Sequence, residues 1–319
     1  MLEQMMPFLL FIAGLIMIIK GSDWFVDSAV WIAKVLKIPD IIIGATLVSL
    51  CTTLPEAMVS TSSALRGNTD MAFGNALGSI IFNTSFILAI VIIFSTPRLR
   101  ERKKFQQTGH FLILLLFFLF FVGLLFQQIS QKIGFLLLGI LVFYLYNNIR
   151  NSKKEPDLTM PTPVHKDKFS IIKNIVAFIV GVLLTIGGAN LLVVYGEEIA
   201  RILGVPDLVI GLLLTSVGTS LPELVTAIVS MKKEAQDLSI GNILGANILN
   251  IILVIALTAT ILPIQIGKSW ILFHLPFAIF IIAAVLFFIR INEEKLQRKN
   301  GLFLLCSYLI YVFLTFNGF

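Results

Sequence analysis

The sequence predicts an all-α membrane protein with about ten transmembrane helices in two inverted five-helix repeats. Three observations predict it. Hydrophobic residues make up 57% of the 319 and charged residues only 13%, with a mean hydropathy of +0.96, whereas a soluble domain carries roughly 25% charged residues. Apolar runs of about 20 residues, the length that crosses a hydrocarbon core, recur along the chain. The stretch Thr52-Thr53-Leu54-Pro55-Glu56 returns 167 residues later as Thr219-Ser220-Leu221-Pro222-Glu223.

Taken in order, the predicted spans are 7–33, 38–64, 71–95, 108–127, 131–149, 170–199, 205–231, 238–262, 268–290 and 301–317. The first has no basic segment ahead of it and is echoed near 179–192, so it reads as a retained span rather than a signal peptide. The first and sixth exceed the bilayer's requirement and are expected to tilt or overrun it. The segment 151–169, rich in proline and charge, reads as an unstructured cytoplasmic linker. It separates a first repeat at 1–150 from a second at 170–319.

Lysine and arginine set the orientation. Arg98, Arg100, Arg102, Lys103 and Lys104 lie between spans three and four, and Arg290, Lys295, Arg298 and Lys299 between nine and ten. The linker region and the turns at Lys34, Lys37, Lys232 and Lys233 add to the same side, which places both termini outside a cell membrane. The net charge of +6 resides in these short segments, so it reflects topology and not nucleic-acid binding. Cys51 and Cys306 form no metal or disulfide motif. His110, His165 and His274 have no metal-ligand spacing and read as loop or span-end residues. Lys20 and Asp23, three residues apart, read as a pair, and Lys232, Lys233 and Glu234 as a solvated turn.

The two halves share an ungapped register. Asp40 and Asp207, Glu56 and Glu223, Gly74 and Gly241, and Asn83 and Asn250 are each separated by 167 residues. Gly14 with Gly181 and Gly21 with Gly188 extend it upstream. Five spans per half is an odd number, so the second copy must cross the membrane upside down, an arrangement characteristic of secondary transporters.

A carboxylate and a proline inside an apolar span are both costly, and an intramembrane ionisable residue points to function. Pro55 cannot donate to the Cys51 carbonyl, nor Pro222 to that of Gly218. Ser49, Thr52, Thr53, Glu56, Ser60 and Ser63 form one polar stripe, and Ser216, Thr219, Ser220, Glu223 and Ser230 its copy. Asn75, Ser79 and Asn83 on the next span are matched by Asn242, Asn247 and Asn250, with Ala246 in place of the serine. Hydroxyls and amides also serve simply to hold membrane helices together. The two glutamates are less easily explained that way. All these donors are hard oxygen. They suit calcium, which takes 6–8 oxygens, and sodium can use the same set.

On the paired stretches GATLVSLCTTLPEAMVS with GNALGSIIFN, and GLLLTSVGTSLPELVTAIVS with GNILGANILN, the chain resembles the calcium/cation antiporter superfamily. Within it, Gly21-Ser22-Asp23-Trp24-Phe25-Val26 is most similar to the compact prokaryotic sodium/calcium exchangers. The resemblance implies ten helices in two inverted halves, four ion sites at the centre, and alternating access by sliding of the first and sixth helices. It implies that Thr52, Thr53, Glu56, Ser79, Asn83, Thr219, Ser220, Glu223 and Asn250 match ion-binding positions. Ser49 and Ser216 match positions that offer backbone carbonyls. Three positions depart from the pattern. Cys51 replaces a glycine, Ala246 replaces a serine, and Asn250 stands where potassium-dependent members carry aspartate, so no potassium requirement is expected.

The leading expectation is a calcium/sodium antiporter acting as a monomer in the lipid bilayer. Its partners are the transported calcium and sodium ions; it needs no cofactor, binds no nucleic acid and is not an enzyme. A proton/calcium antiporter of the same fold is the nearest rival. Proton-coupled relatives carry a glutamate shortly after the Gly-Asn of the following span, which GNALGSIIFN lacks. A channel gains little from paired, proline-broken carboxylate helices. A membrane hydrolase would need motifs that are missing, such as HExxH or GxSxG.

Overall fold

The computed structural model describes residues 2–36, 40–99, 101–152, 167–202, 215–292 and 294–316. Outside them lie most of the expected linker, His165, Pro39 and the Val205-Pro206-Asp207 segment.

The chain is almost entirely helical. Helix α1 spans Leu2–Leu36. Helix α2 consists of Asp40–Ile43 and Ser49–Thr52 joined by the π-helical turn Gly44–Val48, and α3 follows at Leu54–Leu65. Helix α4 runs through Thr69–Ser95, with a π-helical turn at Asn83–Ile87. Helices α5 (Arg102–Phe126) and α6 (Gln131–Ser152) complete the first half. The second half repeats the order: α7 (Lys168–Ile202), α8 (Thr215–Thr219), α9 (Leu221–Lys232), α10 (Gln236–Ile261, π-helical at Asn250–Ile255), α11 (Trp270–Ile291) and α12 (Arg298–Phe316). Among the described residues, six helices are long and apolar enough to cross a membrane: Met6–Leu36, Thr69–Ser95, Arg102–Phe126, Lys168–Gly188, Gln236–Ile261 and Trp270–Ile291.

Helices α4 and α10 form the centre. Phe73, Leu77 and Ile80 from α4 and Ile243, Ile248 and Leu249 from α10 are buried in one apolar core with Leu112 and Leu116 of α5 and Ile281 of α11. The outer faces are apolar as well. Leu9, Ile12 and Ile16 on α1, Ile172 and Val176 on α7, and Leu309 and Phe313 on α12 are exposed. A helical protein that is oily inside and outside is a multi-pass membrane protein, in which packing and small residues, not a water-driven hydrophobic effect, hold the helices together.

Glycines make the closest helix contacts. A Cβ at Gly21 would stand 2.7 Å from the Gly181 carbonyl oxygen, and one at Gly188 would stand 2.6 Å from that of Gly14. Only glycine permits backbones to meet at this range, so α1 and α7 lie against each other. Elsewhere a Cβ on Gly134 of α6 would meet Ala256 and Thr260 of α10, and one on Gly301 of α12 would meet Ala89 and Ile93 of α4. Each contact is its partner's equivalent under the 167-residue offset.

The connections obey the same rule. Strand β1 (Gln128–Ile129) pairs antiparallel with β2 (Ile264–Gln265), with Gln128 opposite Gln265. Arg98 forms an isolated bridge with Lys295, the offset equivalent of that pairing.

Two sequence expectations are corrected. Asp23 does not pair with Lys20. Its carboxylate lies 2.7 Å from Lys233 Nζ, which also contacts Asp27 at 2.7 Å and the Asp23 carbonyl at 2.9 Å. Lys233 therefore ties α1 to the end of α9 instead of ending in solvent. Helix α5 extends the expected 108–127 span back to Arg102, whose guanidinium donates to the carbonyls of Ile289 and Arg290 at 3.1 and 2.7 Å, capping the C-terminal end of α11.

Candidate functional site

The polar stretch sits where two broken helices meet. Thr53 (φ −82°, ψ −2°) interrupts α2 and α3, and Ser220 (φ −86°, ψ 8°) interrupts α8 and α9. Both occupy the sparsely populated bridge region of backbone space. Pro55 and Pro222 fall in the first turn of the helix that follows, where a missing N–H is tolerated. The break thus precedes the proline by two residues, and the glutamate comes directly after it in the first turn. The helix N-terminus there carries a partial positive charge that favours a carboxylate.

Glu56 and Glu223 are both 0% exposed, and the charge of Glu56 acts on Glu223. Ser220 Oγ donates to Glu56 Oε1 at 3.0 Å and lies 3.0 Å from Ser79 Oγ. A residue from the second half thus holds the carboxylate of the first. Thr52 Oγ donates to Asn242 Oδ1 at 3.1 Å, and Thr219 Oγ donates to Asn75 Oδ1 at 3.1 Å. These two bonds are offset equivalents, each joining one half to the other. Asn75 Nδ2 reaches Ser60 Oγ at 2.9 Å and the Glu56 carbonyl at 3.4 Å. Deeper in, Asn247 Nδ2 donates to Thr84 Oγ at 2.7 Å.

Several of the expected ligands have buried polar atoms with no hydrogen-bonding partner within the protein. They are Glu56 Oε2, both Glu223 carboxylate oxygens, Thr53 Oγ, and the amide atoms of Asn83 and Asn250. Each such group costs about 1–3 kcal/mol, and a charged one more. Asn83 and Asn250 each open a π-helical turn, a feature frequent at functional sites. Ser49 is buried, and its carbonyl accepts from the Thr53 N–H at 2.9 Å and from Thr52 Oγ at 3.3 Å. Ser216 belongs to α8, and its side chain lies outside the described residues. Among the described residues no three His, Cys, Asp or Glu side chains gather into a metal cluster. The donors at this centre are two carboxylates with neutral hydroxyl and amide oxygens, a set suited to hard cations rather than to zinc or copper.

The sequence placed these residues on stripes but did not single out Asn75 and Asn242, which tie one half to the other. The signal was their shared offset and their place opposite Thr219 and Thr52. The expectation for His274 is corrected: it is buried in the π-helical turn Trp270–His274 and its Nδ1 lies 2.8 Å from Tyr311 Oη. Its neighbour Trp270 donates to Asp70 at 2.8 Å.

Comparison with known proteins follows the same division into halves. The family described as sodium/calcium exchanger protein matches the chain twice, over residues 6–150 and 173–317. Both matches begin and end 167 residues apart. The chain is 28% identical to the sodium/calcium exchanger MaX1 of Methanosarcina acetivorans, over 97% of this chain and 98% of that one. It is 30% identical to an uncharacterized membrane protein of Methanocaldococcus jannaschii, over 94% and 95%. Among solved structures it is similar to the sodium-calcium exchanger NCX_Mj soaked with 2.5 mM Na+ and 0.1 mM Ca2+, with a TM-score of 0.84 and 26% identity over 96% of this chain and 97% of that one.

Proposed function

Because the chain belongs to the sodium/calcium exchanger protein family, a family of transporters rather than enzymes, we propose that it is a secondary antiporter that exports calcium in exchange for sodium by alternating access. The observation that carries this reading is the meeting of Glu56 and Glu223. They come from different halves, at matching helix breaks, fully buried, with three of their four carboxylate oxygens lacking a hydrogen-bond partner. Two carboxylates balance one divalent charge, and calcium takes 6–8 oxygens in flexible geometry. Thr52, Thr53, Ser79, Asn83, Thr219, Ser220 and Asn250, with the carbonyls of Ser49 and Ser216, complete the ligand set in this reading. Calcium and sodium compete for the two glutamates, and that competition is the coupling.

The repeats are read as inverted. The Arg98–Lys295 bridge lies at the start of α5 and its equivalent, Gln128–Gln265, at the end. Equivalent features therefore sit at opposite ends of a helix of 25 residues, roughly 37 Å long. With each broken pair, α2–α3 and α8–α9, counted as one span, the six apolar helices and α6 and α12 bring the total to ten. Domain limits of 1–150 and 170–319, cytoplasmic basic loops and extracellular termini belong to the same proposal, as does function as a monomer without a cofactor. In it α1 and α7, whose outer faces are exposed and which meet through glycines, are the sliding pair. Asn250 in place of aspartate supports transport without potassium.

The test is calcium flux in everted vesicles under an imposed sodium gradient. Flux that follows the sodium gradient supports the proposal. Flux driven by a pH gradient alone, with sodium inert, indicates proton coupling. Conductance far above carrier turnover indicates a channel.

A further inference from the structure

We infer that Asn75 is a positioning residue that turns the Thr219 hydroxyl so that its lone pairs face a cation held by Glu56 and Glu223. The inference rests on the antiporter reading and adds a residue to it. A hydroxyl has one proton and two lone pairs, so it coordinates a cation well only if its proton has somewhere else to go. The amide of Asn75 provides that place, and its orientation is set by chemistry. The Glu56 carbonyl can only accept, so the Asn75 atom that faces it at 3.4 Å is the NH2 group, which also meets Ser60 Oγ at 2.9 Å. Amide oxygen and nitrogen are otherwise assigned from such networks. Oδ1 is therefore the atom that faces Thr219, and at 3.1 Å the hydroxyl must donate to it.

Ser60 is held in turn, because its hydroxyl donates to the Ala72 carbonyl at 3.1 Å. The chain Ala72 carbonyl, Ser60, Asn75, Thr219 crosses from the first half to the second, and all three side chains in it are buried. The second half is built differently. Asn242 Oδ1 accepts from Thr52, but Asn242 Nδ2 has no partner within the protein, and Ala227 stands at the position equivalent to Ser60. Thr52 also shares its proton with the Ser49 carbonyl at 3.3 Å. The Asn75 amide is thus held on its nitrogen side as well as its oxygen side, and the Asn242 amide only on its oxygen side.

The experiment is a double-mutant cycle on purified full-length protein, with sodium and calcium binding measured for Asn75→Leu, Thr219→Val and the double variant, and Glu223→Gln as control. Asn75→Leu is expected to weaken binding roughly tenfold, the equivalent of one hydrogen bond. Thr219→Val is expected to weaken it at least as much, and the double variant no further than Thr219→Val alone. A loss from Asn75→Leu that persists undiminished in the Thr219→Val background would mean that Asn75 only packs, and would overturn the inference. Ser60→Ala, which loosens the Asn75 amide without removing it, is expected to weaken binding about two- to threefold and to have no effect once Thr219 is valine. It decides the matter if Asn75→Leu does not fold, and an equal loss in both backgrounds overturns the inference. If Glu223→Gln binds both cations like the wild type, the antiporter reading fails. If Glu223→Gln loses binding while Asn75→Leu and Ser60→Ala keep it, only the present inference fails.

Discussion

Replacing Glu223 by glutamine retains the shape of the side chain and removes one negative charge. In the protein the carboxylate is 0% exposed, neither of its oxygens has a hydrogen-bond partner, and the charge of Glu56 acts on it. Its charge is balanced by a bound cation or removed by a proton. Removing one member of a buried charge partnership costs about 3–5 kcal/mol, so calcium affinity should fall by roughly two to nearly four orders of magnitude. The effect on the ion-free protein has the opposite sign. An uncompensated buried charge and its repulsion from Glu56 disappear, so stability without calcium should hold or rise. Thermal unfolding in detergent separates the two effects. At calcium 100 times the wild-type Kd the wild type gains about 2.7 kcal/mol, whereas a variant weakened 100-fold gains about 0.4 kcal/mol by the same relation. Calcium stabilisation of the variant equal to the wild type would refute the reasoning. So would an ion-free protein as destabilised as one with a truncated core.

Pro55→Ala restores an N–H that can reach the Cys51 carbonyl and close the helix across the break at Thr53; transport should fall at least tenfold while the protein folds, and unaltered transport would show that the break is dispensable. Lys233→Ala removes both 2.7 Å contacts to Asp23 and Asp27, whose side chains are 45% and 65% exposed. It should therefore lower stability by about 1 kcal/mol or less, and a larger drop in denaturation would show a buried partnership. Gly181→Leu places a Cβ 2.8 Å from the Gly21 carbonyl and the Phe25 nitrogen. Backbone atoms cannot yield as side chains do, so the cost should be about 1–3 kcal/mol, with transport lost in whatever folds; wild-type flux and melting would contradict the α1–α7 contact.

Six of the described helices were legible as long apolar runs, and the candidate site stood out in the sequence because Glu56 and Glu223 are expensive residues repeated at one offset. The offset relates the glycine contacts, since Gly21 with Gly181 and Gly188 with Gly14 are the same contact seen from each half, but it did not say which glycines meet. Proline chemistry located the helix breaks to within two residues, at Thr53 and Ser220. What local pattern could not reveal was partner choice over long distance. Asp23 looked paired to Lys20 one turn away, yet its cation is Lys233, 210 residues on. The π-helical turns at Asn83 and Asn250 left no mark in hydrophobic period, because they arise from how the helix packs. His274 read as a span-end residue because no single helix shows that Tyr311 waits for it across the bundle.

Equilibrium calcium binding to the purified protein at rising sodium concentration tests most directly whether one carboxylate centre serves both ions in turn. Sodium should raise the apparent calcium Kd while leaving the number of calcium sites unchanged, and Glu56→Gln and Glu223→Gln should each abolish the effect together with the binding. Calcium that stays bound at unchanged affinity while sodium saturates, or that binds as well without either glutamate, would contradict the account.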